Sequence, residues 1–198
     1  IPAGNSTATF DLPIADDTAF ENDEAVVIRL TNVTNANLDN TTNDRFRQLT
    51  HTIVNDDSEP AVSFSAGSST VPDEGTAPSI DVALSTASGN DITVDLTATG
   101  GTATGGGTDY ELKTTTLTFD AGETSKTLDA TDLTITDDDL NETDETVELA
   151  LQNPSSGASI GSTDQHVLTI TDDDPLPEVD FQNATSSASE LDGSASIT

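Results

Sequence analysis

An all-β fold built from repeated sandwiches is what this sequence predicts, and three observations carry the prediction. Apolar and polar residues alternate in Ile80-Val82-Leu84, Ile92-Val94-Leu96, Val147-Leu149-Leu151 and Leu168-Ile170, which is the period of half-buried strands. No segment sustains the 3.6-residue period of a helix. The chain also repeats itself: Glu59 to Phe64 (EPAVSF) matches Leu176 to Phe181 (LPEVDF) at an offset of 117 residues. Such internal periodicity marks a tandem array. A hydrophobic content of 32% beside a formal charge of −32 lies close to disordered compositions,. The alternation decides for a folded chain.

Read from its start, the chain opens inside a repeat. Ile1 to Phe10 (IPAGNSTATF) matches Phe119 to Leu128, and Asp16 to Asn32 matches Asp137 to Asn153 at an offset of 121. The two offsets differ by a longer loop in the first copy, between Asn32 and Leu49. Residues 1–57 therefore read as the second half of one repeat, 58–60 as a linker, and 61–174 as a complete repeat. Residues 175–177 form a second linker, and 178–198 open a third repeat. Both linkers contain proline, which stiffens a joint. In the complete repeat the strands fall at Val62–Ser65, Ser79–Ser85, Ile92–Thr99, Thr115–Asp120, Lys126–Thr136, Glu145–Gln152 and Gln165–Thr171. Turns come from the Gly-rich run Gly100 to Tyr110, from Asp120 to Glu123 and from Asn153 to Gly161. Seven strands in about 114 residues match an immunoglobulin-like sandwich. The chain begins with Ile1 and breaks inside a repeat at each end, as an internal piece of a longer array would.

Charge points to chemistry. Thr136-Asp137-Asp138-Asp139 recurs as Thr171-Asp172-Asp173-Asp174, each after an alternating stretch, and Val54-Asn55-Asp56-Asp57 is a weaker copy. Adjacent carboxylates repel one another, and 5 Lys+Arg cannot neutralise 37 Asp+Glu. A divalent cation is the natural guest. With no cysteine, the ligands must be oxygen, and loose multi-carboxylate sites suit Ca²⁺ better than the tight octahedron of Mg²⁺. If the strands before the two Asp runs end at the same pole, the runs meet there. Scattered acids would serve as a solubilising surface, but triplets at equivalent points of a repeat call for more than that.

The same charge argues against nucleic acid and anionic membrane as partners, and no run is apolar enough for a membrane span. The absence of Cys and Met, with many Thr, Ser, Asn and Asp, suits an extracellular or cell-surface protein. Asp137, Asp139, Asn141 and Glu148 fall at EF-hand positions 1, 3, 5 and 12, yet the turn glycine is Glu142 and Glu148 lies in a strand pattern,. Gly-Gly-Gly-Thr-Asp-Tyr does not iterate every nine residues as a calcium β-roll would. His51 and His166 occupy different repeat positions, so no Ser-His-Asp set can be argued. Without Trp there is little platform for sugar. No enzyme is expected. Sequons begin at Asn5, Asn32, Asn40, Asn141 and Asn183, acceptors in a source that glycosylates.

Taken in order, Gly101 to Tyr110 (GTATGGGTDY), Thr116 to Leu128 (TLTFDAGETSKTL), Ile135 to Leu151 (ITDDDLNETDETVELAL), Asn153 to Gly161 and Leu168 to Asp174 (LTITDDD) resemble the Calx-beta domain. The resemblance spans residues 61–174, and the partial copies fit its two ends. It implies an immunoglobulin-like sandwich with Ca²⁺ clustered at one pole, as in the calcium-sensing modules of sodium/calcium exchangers and in long microbial surface proteins. By motif, the implied ligands are Glu74, Asp109, Asp137, Asp138, Asp139, Glu142, Asp172, Asp173 and Asp174. Glu145 is implied as ligand or supporting residue. The first copy keeps Asp16, Asp17, Glu21, Glu24, Asp56 and Asp57, while Asn55 replaces the first terminal Asp and Phe20 stands where Asn141 does. The third copy offers Glu190. The expected role is a non-enzymatic, Ca²⁺-stiffened stalk, sheath or adhesin whose partners are calcium, neighbouring repeats and, in a fibre, further copies of the chain. A Ca²⁺ sensor coupled to a transporter is the alternative.

Overall fold

The computed structural model describes residues 1–36, 47–190 and 193–197. The longer loop expected between Asn32 and Leu49 falls largely on residues 37–46, outside the described residues, as does the sequon at Asn40. Among the described residues no α-helix forms, and none therefore is long and apolar enough to cross a membrane.

Two strands come from the first repeat, β1 (Glu24–Arg29) and β2 (Gln48–Ile53), paired antiparallel. Eleven follow: β3 (Ala61–Phe64), β4 (Ser68–Val71), β5 (Ile80–Leu84), β6 (Ile92–Gly101), β7 (Tyr110–Leu112), β8 (Thr116–Phe119), β9 (Ser125–Leu128), β10 (Leu133–Ile135), β11 (Glu145–Gln152), β12 (Ser159–Ile160) and β13 (Gln165–Ile170). One sheet runs β4-β13-β11-β6-β8 and the other β12-β3-β5-β9, with β7 and β10 as a separate pair. Between them lies the core that the alternation forecast. Val62, Val82, Val94, Leu96, Phe119, Leu128, Leu133, Val147 and Leu149 are fully buried, each contributing about 1.5–3 kcal/mol through burial.

All seven expected strands form, with one division and three additions. The expected strand Lys126–Thr136 is split, because Asp129 and Asp132 form a turn. Thr131 N–H donates to the Asp129 carboxylate at 2.7 Å, and the Asp132 N–H donates to the Asp129 carbonyl at 2.9 Å. β9 consequently joins one sheet and β10 pairs with β7. The added strands β4, β7 and β12 are four, three and two residues long. β3 lies in one sheet, and after Ser65–Gly67 the chain crosses to the other, where β4 runs parallel to β13. His166 is a packing residue: it is buried, its ring nitrogens are 2.7 Å from Ala66 O and Ser69 Oγ, and its ring lies 5.4 Å from that of Phe64.

β1–β2 keeps the register of β11–β13: Glu24 faces Ile53 as Glu145 faces Ile170. However, Leu30 and Leu49 are 61% and 57% exposed, whereas Leu151 and His166 at the matching positions are buried. Beyond the second linker, Val179 and Phe181 are 93% and 77% exposed, although Val62 and Phe64 at matching sequence positions are core. Val62 and Phe64, in β3, pair with Leu84 and Val82 of β5, and no strand adjoins Val179 and Phe181 among the described residues.

A bulge where β11 meets β6, at Glu148/Leu149, brings the Gly100-Gly101 end of β6 against the start of β11. Gly101 has φ +114, and a Cβ there would fall on the Thr146 carbonyl. Gly101→Ala is expected to cost about 2 kcal/mol or more, read as a lowered midpoint of chemical unfolding. An unchanged midpoint would contradict this account of the bulge.

Candidate calcium pole

Five strand ends meet at one pole of the 61–174 sandwich. β4, β10 and β13 finish there, and the antiparallel β7 and β11 begin there. The acids expected from the sequence follow these ends directly. Glu74 follows β4, Asp137-Asp138-Asp139 follow β10, Asp172-Asp173-Asp174 follow β13, and Asp109 precedes β7. The two Asp runs do meet.

Two carboxylate triads result. Oxygens of Glu74, Asp138 and Asp174 lie within 4.8 Å of one another, as do oxygens of Asp109, Glu142 and Glu145. Glu145, which starts β11, was marked by sequence only as ligand or support; here it shares the second triad. The other expected residues hold the loops. Asp172 accepts the Glu142 N–H at 3.1 Å and the Asn141 side-chain amide at 3.0 Å, and its own N–H points to Asp144 at 3.4 Å. Asp173 accepts the Glu74 N–H at 3.3 Å, and Asp138 accepts the Leu140 N–H at 2.7 Å. Asp109 accepts the Thr104 N–H. Asp137 lies against Gly75, whose Cβ would come 3.0 Å from that of Asp137. Asp139 is exposed and acts on Asp174 by charge.

The electrostatics follow from crowding. Glu145 is pushed up to about 7 by burial, then by a shared hydrogen bond with Asp109 and by the charges of Asp109, Glu142 and Glu74. Burial also raises Glu74 and Asp174; charges of Asp138, Asp172 and Asp174 add to the first, and those of Asp173, Asp139, Asp172 and Asp138 to the second. Among the described residues, no basic side chain is one of the groups acting on them. Residues 61–174 hold two lysines and no arginine, and Lys126 is paired with Glu123 at 2.9 Å, holding that carboxyl below its ordinary value. Asp174 Oδ2 is buried without a hydrogen-bond partner. A buried carboxylate oxygen left without a donor is costly, and a hard cation is what the all-oxygen donor set would accept.

The first repeat carries a second acidic cleft, lined by Asp16, Asp17, Glu21, Glu24, Asp56 and Asp57. Its loops repeat the bonds of the complete one. Ala19 N–H donates to Asp17 at 2.8 Å, Glu21 N–H to Asn55 Oδ1 at 3.1 Å, and Asn55 N–H to Asp23 at 3.0 Å. Asp57 is raised by burial and by Asp56, Asp17 and Asp16. The cleft keeps its form although Asn55 removes one charge. Glu190 is a member of neither assembly.

With this geometry in view, the comparison with known proteins is direct. The Calx-beta domain family model matches residues 2–57 and 55–174. The chain belongs to the Calx-beta family. The crystal structure of the apo-form Calx CBD1 domain is similar at 26% identity and a TM-score of 0.53, over 59% of this chain and 100% of that one. CBD12 from CALX1.2 is similar at 26% identity and a TM-score of 0.52, over 58% of this chain and 44% of that one. The calcium binding domain CBD12 of CALX1.1 follows at 26% identity and 0.51, over 57% and 44%. This chain thus spans under half of each CBD12 relative. No curated protein matches. The family is one of calcium-binding β-sandwich modules, and the immunoglobulin-like fold expected from the sequence is the fold found.

A carboxyl raised on folding binds its proton more tightly in the folded state, so its contribution to stability is lost as pH rises. For Glu145 the window runs from 4.5 to about 7. Stripped of divalent ions, the chain is expected to melt at a higher temperature at pH 5 than at pH 8 by calorimetry, and Glu145→Gln should flatten that dependence. A midpoint that climbs with pH would contradict the crowding account.

Proposed function

We propose that residues 61–174 form a Ca²⁺-binding module within a long extracellular structural or adhesive array, and that bound ions stiffen each module and any joint not already held by direct bonds between repeats. The observation that carries this reading is the pair of carboxylate triads with the orphaned Asp174 oxygen between strand ends. Glu74, Asp138 and Asp174 would hold one ion, and Asp109, Glu142 and Glu145 a second. Asp137, Asp139, Asp172 and Asp173 set the charge and the loop geometry around them. In the first repeat Asp16, Asp17, Glu21, Asp56 and Asp57 would serve the same end. The ion supplies positive charge where the chain supplies none, so it binds the folded pole and not the dispersed acids of the unfolded chain.

Repetition, Pro-bearing linkers and acidity favour the array, whose location is extracellular. No group in the poles is assigned to catalysis; the role is mechanical. Side-by-side assembly of chains would extend the same device to a fibre. The sensor reading is favoured by the likeness to the CALX calcium binding domain. A parent reading frame with many repeats and a secretion signal supports the array, and one with transporter helices supports the sensor.

Linkage sets the scale of the effect. An ion present at 100 times its Kd stabilises the folded state by about 2.7 kcal/mol, a rise of several degrees for a domain of this size. Calorimetry with Ca²⁺ against chelator should show that rise at pH 7.5, and coincident midpoints would end the proposal. Glu74→Gln should weaken Ca²⁺ binding about tenfold or more, roughly 1.4 kcal/mol, in isothermal titration. The ion-free variant should melt no lower than the parent, since a like charge has gone.

A further inference from the structure

The loop of the first acidic cleft touches the 61–174 sandwich at a place opposite in kind to its own pole. Phe20 N–H donates to Ala87 O at 3.0 Å, and Gly89 N–H donates to Phe20 O at 2.9 Å, a parallel bridge between Phe20 and Ser88. Thr86 Oγ1 donates to Thr18 O at 3.1 Å, and the buried Ser88 hydroxyl lies 3.4 Å from Phe20 O. The Phe20 ring covers Gly157, where an added Cβ would come 3.2 Å from Cε1. Both loops that receive it are fixed from behind. Gly122 N–H holds Ser88 O at 2.8 Å, and Ser155 and Thr93 are joined by bonds of 2.8 and 3.1 Å.

The matching residue of the complete repeat, Asn141, does something else. Its side-chain amide donates inward to Asp172 at 3.0 Å and to the Asp174 carbonyl at 2.7 Å. In the first repeat the carbonyl of Asp57, the match of Asp174, still receives a side-chain amide, but from Asn55 at 3.1 Å. The amide has moved from the loop to the strand end. Asn55 stands where Asp172 does, accepts the same loop N–H, and supplies the donor that position 20 no longer provides. Phe20 is thereby free to face outward.

From this exchange we infer that the 86–90 and 153–157 loops form a docking socket for an aromatic residue offered by the acidic loop of the preceding repeat. Phe20 is its occupant, and the Asn141-Asp172 to Phe20-Asn55 exchange makes one repeat a docking repeat and the other not. The contact consists of backbone bonds, hydroxyl bonds from Thr86 and Ser88 and ring packing, with the Glu21 side chain against Gly89; none of its hydrogen bonds uses a cleft carboxylate, so it stands whether or not the neighbouring cleft holds an ion.

The test is the interdomain distance in the full chain. Cysteine is absent from the sequence, so spin labels at Thr50→Cys and Thr118→Cys, both exposed, report one distance by pulsed dipolar spectroscopy. In saturating Ca²⁺ the parent is expected to give one narrow distribution, and Phe20→Ala a distribution at least twice as broad. Phe20→Asn with Asn55→Asp rebuilds the bonding of the complete repeat, so the loop keeps its form while the joint is released; it should broaden the distribution equally. In chelator the parent distribution is expected to stay narrow. A parent-like distribution in the double variant overturns the inference, and so does broadening of the parent on chelation to the width of Phe20→Ala.

Discussion

Repulsion among carboxylates that the chain cannot neutralise is the constraint on which the rest of this structure turns. Strand order forces the crowding: the ends of β4, β10 and β13 and the starts of β7 and β11 share one pole, and nearly every one of them delivers an acid. Backbone N–H groups of Glu74, Leu140 and Glu142 donate to some of these oxygens, which fixes the loops. Those bonds orient charge without removing it. The raised carboxyls of Glu74, Glu145 and Asp174 register what is left over, and a bound proton or a bound cation are the two ways to relieve it.

The fold was legible because burial dictates period. Strands with core on one side, such as β5 and β6, alternate cleanly, and so their sequence shows them. What was hidden depends on partners rather than on pattern. β4, β7 and β12 are too short to show a period, and each exists through pairing with a strand distant in sequence. The break between β9 and β10 was legible in principle, since Asp129 and Asp132 flank a side-chain turn of the kind Asp favours. Alternation on either side of it, in Leu128-Asp129-Ala130 and in Leu133-Thr134-Ile135, outweighed that signal.

The acidic pole divides the same way. Triplets after alternating stretches, and the family motif, marked its members. Sequence did not distinguish the acids that share a triad from those that hold loops, because Asp172 and Asp174 look alike until their hydrogen bonds are seen. Glu145 gained its weight from the proximity of Asp109, a neighbour across the pole. The exchange of Asn141 and Asp172 for Phe20 and Asn55 was visible as two substitutions, but their compensation needed the shared carbonyl contact. That pairing lets two repeats keep one loop architecture and present different outer faces.

The central claim is that a cation, and not a redistribution of protons, balances the pole at neutral pH. Anomalous diffraction from crystals of the chain grown with calcium tests it most directly. The account predicts a peak bounded by Glu74, Asp138 and Asp174, with a second by Asp109, Glu142 and Glu145. A pole without a peak, its carboxylates turned to solvent in millimolar calcium, would contradict it.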